Sequence, residues 1–208
     1  MRTKVLILAM LAFFTQIANA QSFGVKGGLN LASMSYSMKE LDNSPEPIIG
    51  LHFGPIVEFK LTNRINFNSG ILYTLKGSRE EIWNINNDLK FVPERVPIRL
   101  NFLEIPLNIA YKISLREKSN FFVQAGPYLG FVLNGKFKIN NETNDIQFGG
   151  LGKMKRFDFG LGIGSGFQFG SWITSLSYQF GLTNRYDIPD SRTRNNALQL
   201  SIAYMFRN

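Results

Sequence analysis

From Phe23 onward, apolar residues alternate with polar or small ones, the period of two that sends successive side chains to opposite faces of a β-strand. Phe23, Val25, Leu29 and Leu31 share one side of a first strand, and Gly24, Lys26, Gly28 and Asn30 the other. The same alternation predicts a second strand at about 49–61, a third from Ile65 after a tight 62–64 turn, a fourth at 101–113 and a fifth at 121–134. A sixth covers 158–170, where Gly160, Gly162, Gly164 and Gly166 alternate with Leu161, Ile163, Ser165 and Phe167. A seventh starts at Trp172 after a Gly170-Ser171 turn, and an eighth runs over 198–206. Pro106 falls inside the fourth strand, where its missing donor calls for a bulge or bend.

The connections alternate in length. Segments 34–47, 77–100, 135–155 and 184–195 are long, while 62–64, 114–120 and 170–171 are short. An even number of strands with tight turns at one end and long loops at the other is the plan of an outer-membrane barrel. The expected fold is all-β: an eight-stranded antiparallel up-and-down transmembrane β-barrel over 21–208, with both termini periplasmic. Hydrocarbon supplies the reason for the period. No water is present there to satisfy free N–H and C=O groups, so strands cross only in a closed barrel with one lipid face and one lumen face. Eight strands enclose little more than their own side chains, so bulk on one strand requires space on another. The four alternating glycines are expected to provide the space, and Phe102, Phe122 and Tyr128 to fill it, which argues against a general diffusion pore. Trp172, Tyr111, Phe121, Phe169, Tyr204 and Phe206 fall near the short-turn end, and Tyr73, Phe131, Phe157 and Phe180 near the long-loop end, as two interfacial girdles would.

Composition adjusts the picture at several points. Arg2 and Lys4, the apolar run 5–14 and Ala18-Asn19-Ala20 read as a secretory signal over 1–20, too short to span a bilayer as a helix. The chain has no cysteine, which removes disulfides, thiolate metal sites and a lipoprotein anchor. It has 13% aromatic residues and 19 glycines, a mean hydropathy near zero, and no later run approaching the ~18 apolar residues of a helical span. Any later membrane crossing must therefore use strands. Formal net charge is +8, or +6 once Arg2 and Lys4 are set aside. In an exported chain this favours anionic lipid over nucleic acid as an electrostatic partner.

Strand parity sends Lys26, His52, Glu58, Lys60, Lys76, Glu104, Lys112 and Tyr128 into the lumen as a polar network. Glu58 with Lys26 is the first ion pair expected there, and Glu104 with a lysine or arginine near the outer rim the second. Lys153, Lys155, Arg156, Arg185, Arg192 and Arg194 fall near the outer leaflet, suited to lipopolysaccharide phosphates. The 77–100 loop, with Trp83, Ile85 and Phe91, either folds on its neighbours or offers an apolar patch to a protein partner. His52 is the single histidine. A serine or a carboxylate such as Glu104 beside it would suit an outer-membrane enzyme acting on lipid or peptide, but no nucleophile-elbow motif accompanies it. A narrow channel or lipid-binding transporter is the other alternative. One histidine without cysteine leaves no metal cluster, the 140–145 run lacks calcium-loop spacing, and the G-x-G-x-x-G fingerprint is absent. No catalytic residue, metal or cofactor is expected, and a monomer is favoured.

Particular blocks go further than pattern. "FLEIPLNIAYK", "FVQAGPYLGFVLNG", "RFDFGLGIGSGFQF", "YQFGLTN" and the final "LSIAYMF" resemble successive blocks of the PorT-like outer-membrane β-barrel family of Bacteroidota, over essentially the whole mature chain. L-E-I-P-L and A-G-P-Y-L-G are the more specific pieces. The resemblance implies an eight-stranded outer-membrane barrel, no assigned activity for most members, and for one relative a part in type IX secretion and gliding. Arg207 and Asn208, following Phe206, depart slightly from the family's habit of ending on the terminal strand.

Overall fold

The computed structural model describes residues 21–37, 45–85, 91–116, 118–139, 142–149, 153–185 and 192–206. The 1–20 segment read as a signal lies outside them. Ten strands follow in order: β1 (Gln21–Ser37), β2 (Glu46–Lys60), β3 (Ile65–Gly70), β4 (Leu72–Ile85), β5 (Phe91–Arg116), β6 (Ser119–Ile139), β7 (Glu142–Asp145), β8 (Phe157–Phe169), β9 (Trp172–Gly181) and β10 (Arg192–Phe206). The sheet closes on itself because β1 pairs antiparallel with both β2 and β10. Eight staves make the wall: β3 and β4 are one stave interrupted at Ile71, and β7 pairs with the far end of β6.

The interruption has a covalent cause. Ile71 donates its N–H to the Pro55 carbonyl at 3.0 Å, but proline has no N–H with which to return the second bond of the pair. On the other side the ladder to β5 stops at Ser69–Leu107 and resumes at Leu72–Glu104, so Pro106 stands opposite Gly70. Prolines on both flanking strands thus withdraw donors at the same point. The irregularity expected at Pro106 is expressed in its neighbour instead.

Register fixes the barrel's tilt. From Leu31 on β1, successive partners are Leu198, Tyr178, Ile163, Ala125, Ile109, Phe67 and Phe59, and the last returns to β1 at Gln21. The circuit closes ten residues (31 − 21) from its start, a stagger that requires strands tilted by about 35–45° from the barrel axis.

Alternate residues face out and in as the sequence demands. Phe23, Leu29, Ile49, Ile163 and Leu200 are exposed on the outer face, while Asn30, His52, Lys76, Glu104 and Gln199 are buried inside. On β5 the outward face is apolar from Leu103 to Leu115 and turns polar at Asn101, Arg99 and Arg95. Crossing a bilayer takes about 9–11 residues, whereas β5 has 26 and β6 has 21. The surplus projects at the long-loop end, so much of the loops expected at 77–100 and 135–155 is strand. Its inner face carries its own core, Met34, Ile98, Leu100, Phe102, Val132 and Met154, with Phe137, Ile146 and Phe148 packed against it. That core lets the ladder continue past the hydrocarbon.

Candidate functional site: a stoppered lumen and a charged rim

At the short-turn end the lumen holds a solvent-connected cavity of about 60 Å3, lined by Lys26, Glu58, Asn68, Asn108, Lys112 and Phe122 among others. Here the expected Glu58–Lys26 pair is not formed. Glu58 accepts from the Lys112 ammonium at 2.7 Å. The stagger explains the exchange: in the ladder Glu58 stands beside Ser22 of β1, four residues nearer the turns than Lys26, whereas the tilt brings Lys112, two staves away, to its level. Lys26 projects into the cavity. Lys60, also expected inside, is exposed at the end of β2.

Above the cavity lies a polar layer. Glu104 accepts from Lys76 at 2.5 Å and from Gln179 at 2.6 Å, and Gln199 donates to Gln179 at 3.3 Å. The expected pairing of Glu104 with a basic residue is therefore present, with Lys76 as partner. The Lys76 ammonium also stands 4.4 Å from the centre of the Tyr128 ring, a cation–π contact shielded from water. Tyr128 donates to Asp158 at 3.4 Å, and Asn195 donates to the same oxygen at 3.1 Å. Higher still, Phe102 and its apolar neighbours close the bore, and the buried Arg185 sits with its guanidinium 5.4 Å from the Phe102 ring centre.

His52 belongs to a separate network. The Asn30 amide donates to the Leu51 and Leu75 carbonyls at 3.2 Å each, leaving its oxygen to accept from His52 Nδ1 at 2.6 Å. With Nδ1 protonated, His52 Nε2 accepts from the Ser201 hydroxyl at 2.9 Å. Glu104 is not the orienting group. Gly28 stands between His52 on β2 and Ser201 on β10, and a Cβ there would lie 2.7 Å from the imidazole. The two side chains meet because that glycine has none.

The expectation for the glycine strand holds at Gly160 and Gly166, whereas Gly164 meets Ser177 instead of a bulky side chain. A Cβ on Gly160 would sit 2.5 Å from the Tyr128 ring and one on Gly166 2.6 Å from the Phe122 ring, while one on Gly162 finds nothing nearer than 3.8 Å. Large side chains of β6 lie over bare positions of β8.

The outer face carries both aromatic girdles. Phe121–Phe167, Trp172–Tyr204 and Tyr204–Phe206 contacts mark the short-turn end, and Phe53–Tyr73, Phe131–Phe157 and Tyr178–Phe180 the other. Of the cations assigned to the outer leaflet, Lys153, Lys155 and Arg156 are exposed and Arg194 is half-buried. Arg156 spreads over the Phe148 ring at 4.7 Å and donates to the Val132 carbonyl. Arg185 corrects the expectation: it is 0% exposed and donates to the Phe157 carbonyl at 3.2 Å, capping the lumen rather than facing lipid. The Arg192 side chain, like those of Trp83, Ile85 and Phe91, lies outside what is described.

Several interior residues were absent from the expected network. Asn30, Gln179, Gln199 and Ser201 were legible as lumen positions by parity, but nothing in the sequence singled them out as partners of His52 or Glu104. Asp158 and Asn195 join the network because of the stagger, which only the closed barrel reveals.

A closed, girdled barrel with a polar interior limits the field of families, and the sequence decides among them. The profile of the family described as "Outer membrane protein beta-barrel domain" matches residues 16–187. The chain belongs to that family. No curated protein matches it. Among solved structures, Neisserial surface protein A is 12% identical with a TM-score of 0.49, the match covering 88% of this chain and 97% of that one. The attachment invasion locus protein Ail of Yersinia pestis is 14% identical with a TM-score of 0.41, over 90% and 99%. The N-terminal β-barrel domain of Pseudomonas aeruginosa OprF is 11% identical with a TM-score of 0.38, over 88% and 97%. Membership places this barrel in the outer membrane, so the aromatic girdles are its two bilayer interfaces and the exposed apolar belt between them is its lipid contact.

Proposed function

We propose that the protein is a non-conducting, non-enzymatic outer-membrane barrel whose role lies in surface interaction, carried by the part that outruns the bilayer. The observation that bears this reading is the stopper: the polar layer at Glu104 and the apolar core above it fill the bore, while β5 and β6 continue well beyond the belt. In this reading the long-loop end is external, both termini are periplasmic, and the β4–β5 extension meets a protein partner. Purified protein in planar bilayers is expected to give no stepwise conductance, and protease on intact cells is expected to cut between residues 77 and 100. Steady ion conductance, or cutting only in permeabilised cells, would overturn it.

The blocks quoted above support the finer placement in the PorT-like branch, and with it a type IX secretion-accessory role. A deletion strain that still exports its secreted cargo at the normal level would remove that version and leave the surface role standing.

One observation favours a second reading. Ser201, His52 and Asn30 have the order and spacing of a nucleophile, base and orienting group. All three are about 1% exposed and none lines the cavity at the short-turn end, so the trio supports a structural role. A fluorophosphonate probe is expected to leave Ser201 unlabelled. Labelling lost in Ser201→Ala would establish the hydrolase instead.

A further inference from the structure

The wall just above the belt carries charge that neither the lumen nor the girdles use. Tyr73 donates to Asn101 at 2.7 Å, and Asn101 donates to Asn134 at 2.6 Å. This polar collar lies directly above the apolar pair Leu103 and Phe131. Two residues farther along each strand, about 5 Å higher at this tilt, Arg99 of β5 and Lys136 of β6 stand directly opposite each other on the outward face, both exposed. Lys138 follows on the same face.

Like charges in opposed positions repel, and neither Arg99 nor Lys136 has an ion pair among the described residues. The nearby carboxylate of Glu46 is held by Arg79 at 3.2 Å and Arg95 at 2.6 Å. Asp145 of β7 faces Lys136 in the ladder without forming an ion pair, and offsets one of the three cations.

We propose that Arg99, Lys136 and Lys138 form a docking site for the phosphate of a lipid A-type glycolipid in the outer leaflet. A phosphate between Arg99 and Lys136 turns the repulsive rung into two charge-assisted contacts, with the guanidinium offering paired donors. Its acyl chains then lie against Leu103, Ile105 and Leu129, exposed on the belt immediately beneath. Cations set just above a continuous apolar wall fit an acylated phosphate, because a soluble phosphate would leave that wall unused. The six cations that the sequence pointed to did not include these three.

The inference rests on the external placement of the long-loop end, and its test is independent of that placement. Purified barrel is mixed with phosphorylated lipid A, dephosphorylated lipid A or phosphatidylglycerol, and retained lipid is read by native mass spectrometry. Wild type is expected to retain phosphorylated lipid A at least tenfold more than either other lipid. Arg99→Gln/Lys136→Gln is expected to lose that preference while keeping the faster mobility of the unboiled barrel on detergent gels. Lys153→Gln/Lys155→Gln is expected to keep it. Equal retention of phosphorylated and dephosphorylated lipid A, an unchanged double variant, or phosphatidylglycerol retained as well as lipid A would each overturn the site. Surface proteolysis decides the orientation separately.

Discussion

Whether His52 and Ser201 can touch is decided at Gly28, a residue with no side chain of its own. A methyl there meets the imidazole at 2.7 Å and the Leu200 carbonyl closer still, so Gly28→Ala is expected to destabilise the barrel by about 1–3 kcal/mol, the range for overpacking. The same logic separates two glycines that look alike in the sequence. Gly160→Ala drives a methyl into the Tyr128 ring, whereas at Gly162 it meets Gln179 at an ordinary van der Waals distance of 3.8 Å. Urea unfolding from lipid vesicles should show the first lowering the midpoint and the second leaving it near wild type. If the two variants behave alike, the packing account of the glycine strand is wrong. A third substitution probes charge: Glu104→Gln leaves the Lys76 ammonium buried without its counter-ion, at a cost of about 3–5 kcal/mol. In the same assay it should be the most damaging of these substitutions. Parity made the lumen side of each of these residues legible, since alternation assigns a face. It could not choose partners, because the ten-residue stagger carries Glu58 away from Lys26 and toward Lys112.

At the level of elements, the sequence showed where hydrophobic strands lie but not where they stop. Lipid imposes alternation on the outward face, and that signal fades once β4, β5 and β6 leave the belt and their outer residues become Arg79, Arg99 and Lys136. The strands nevertheless continue, held by an inner core in which Met34, Ile98, Leu100 and Met154 read in sequence as scattered apolar residues of loops. The register of β4 against β5 continues to Ile85 opposite Phe91, past the last pairing of β5 with β6 at Ile98–Phe137. This outermost ribbon is a separable piece. Replacing residues 81–95 with an Asn-Gly turn, which closes Glu80 onto Val96, removes the exposed Arg95–Glu46 ion pair. The shortened protein is expected to fold, with unboiled mobility retained and stability within about 1 kcal/mol of wild type. Failure to fold would mean that the ribbon nucleates the barrel.

For the whole molecule, the closing seam between β1 and β10 sets Phe23 opposite Phe206. Every other stave pairs with a near neighbour in sequence, but this last row joins the first described strand to the last. Until Phe206 has emerged, both flanks of the growing sheet carry bare amides and carbonyls, which hydrocarbon cannot accommodate. Insertion is therefore forbidden to any fragment lacking β10, and the chain must wait outside the bilayer, unclosed, until that strand is available. A version stopped at residue 191 should give no heat-shifted band at all, rather than a weaker one. The seam works as an entry check: the membrane admits the barrel only once β10 has met β1.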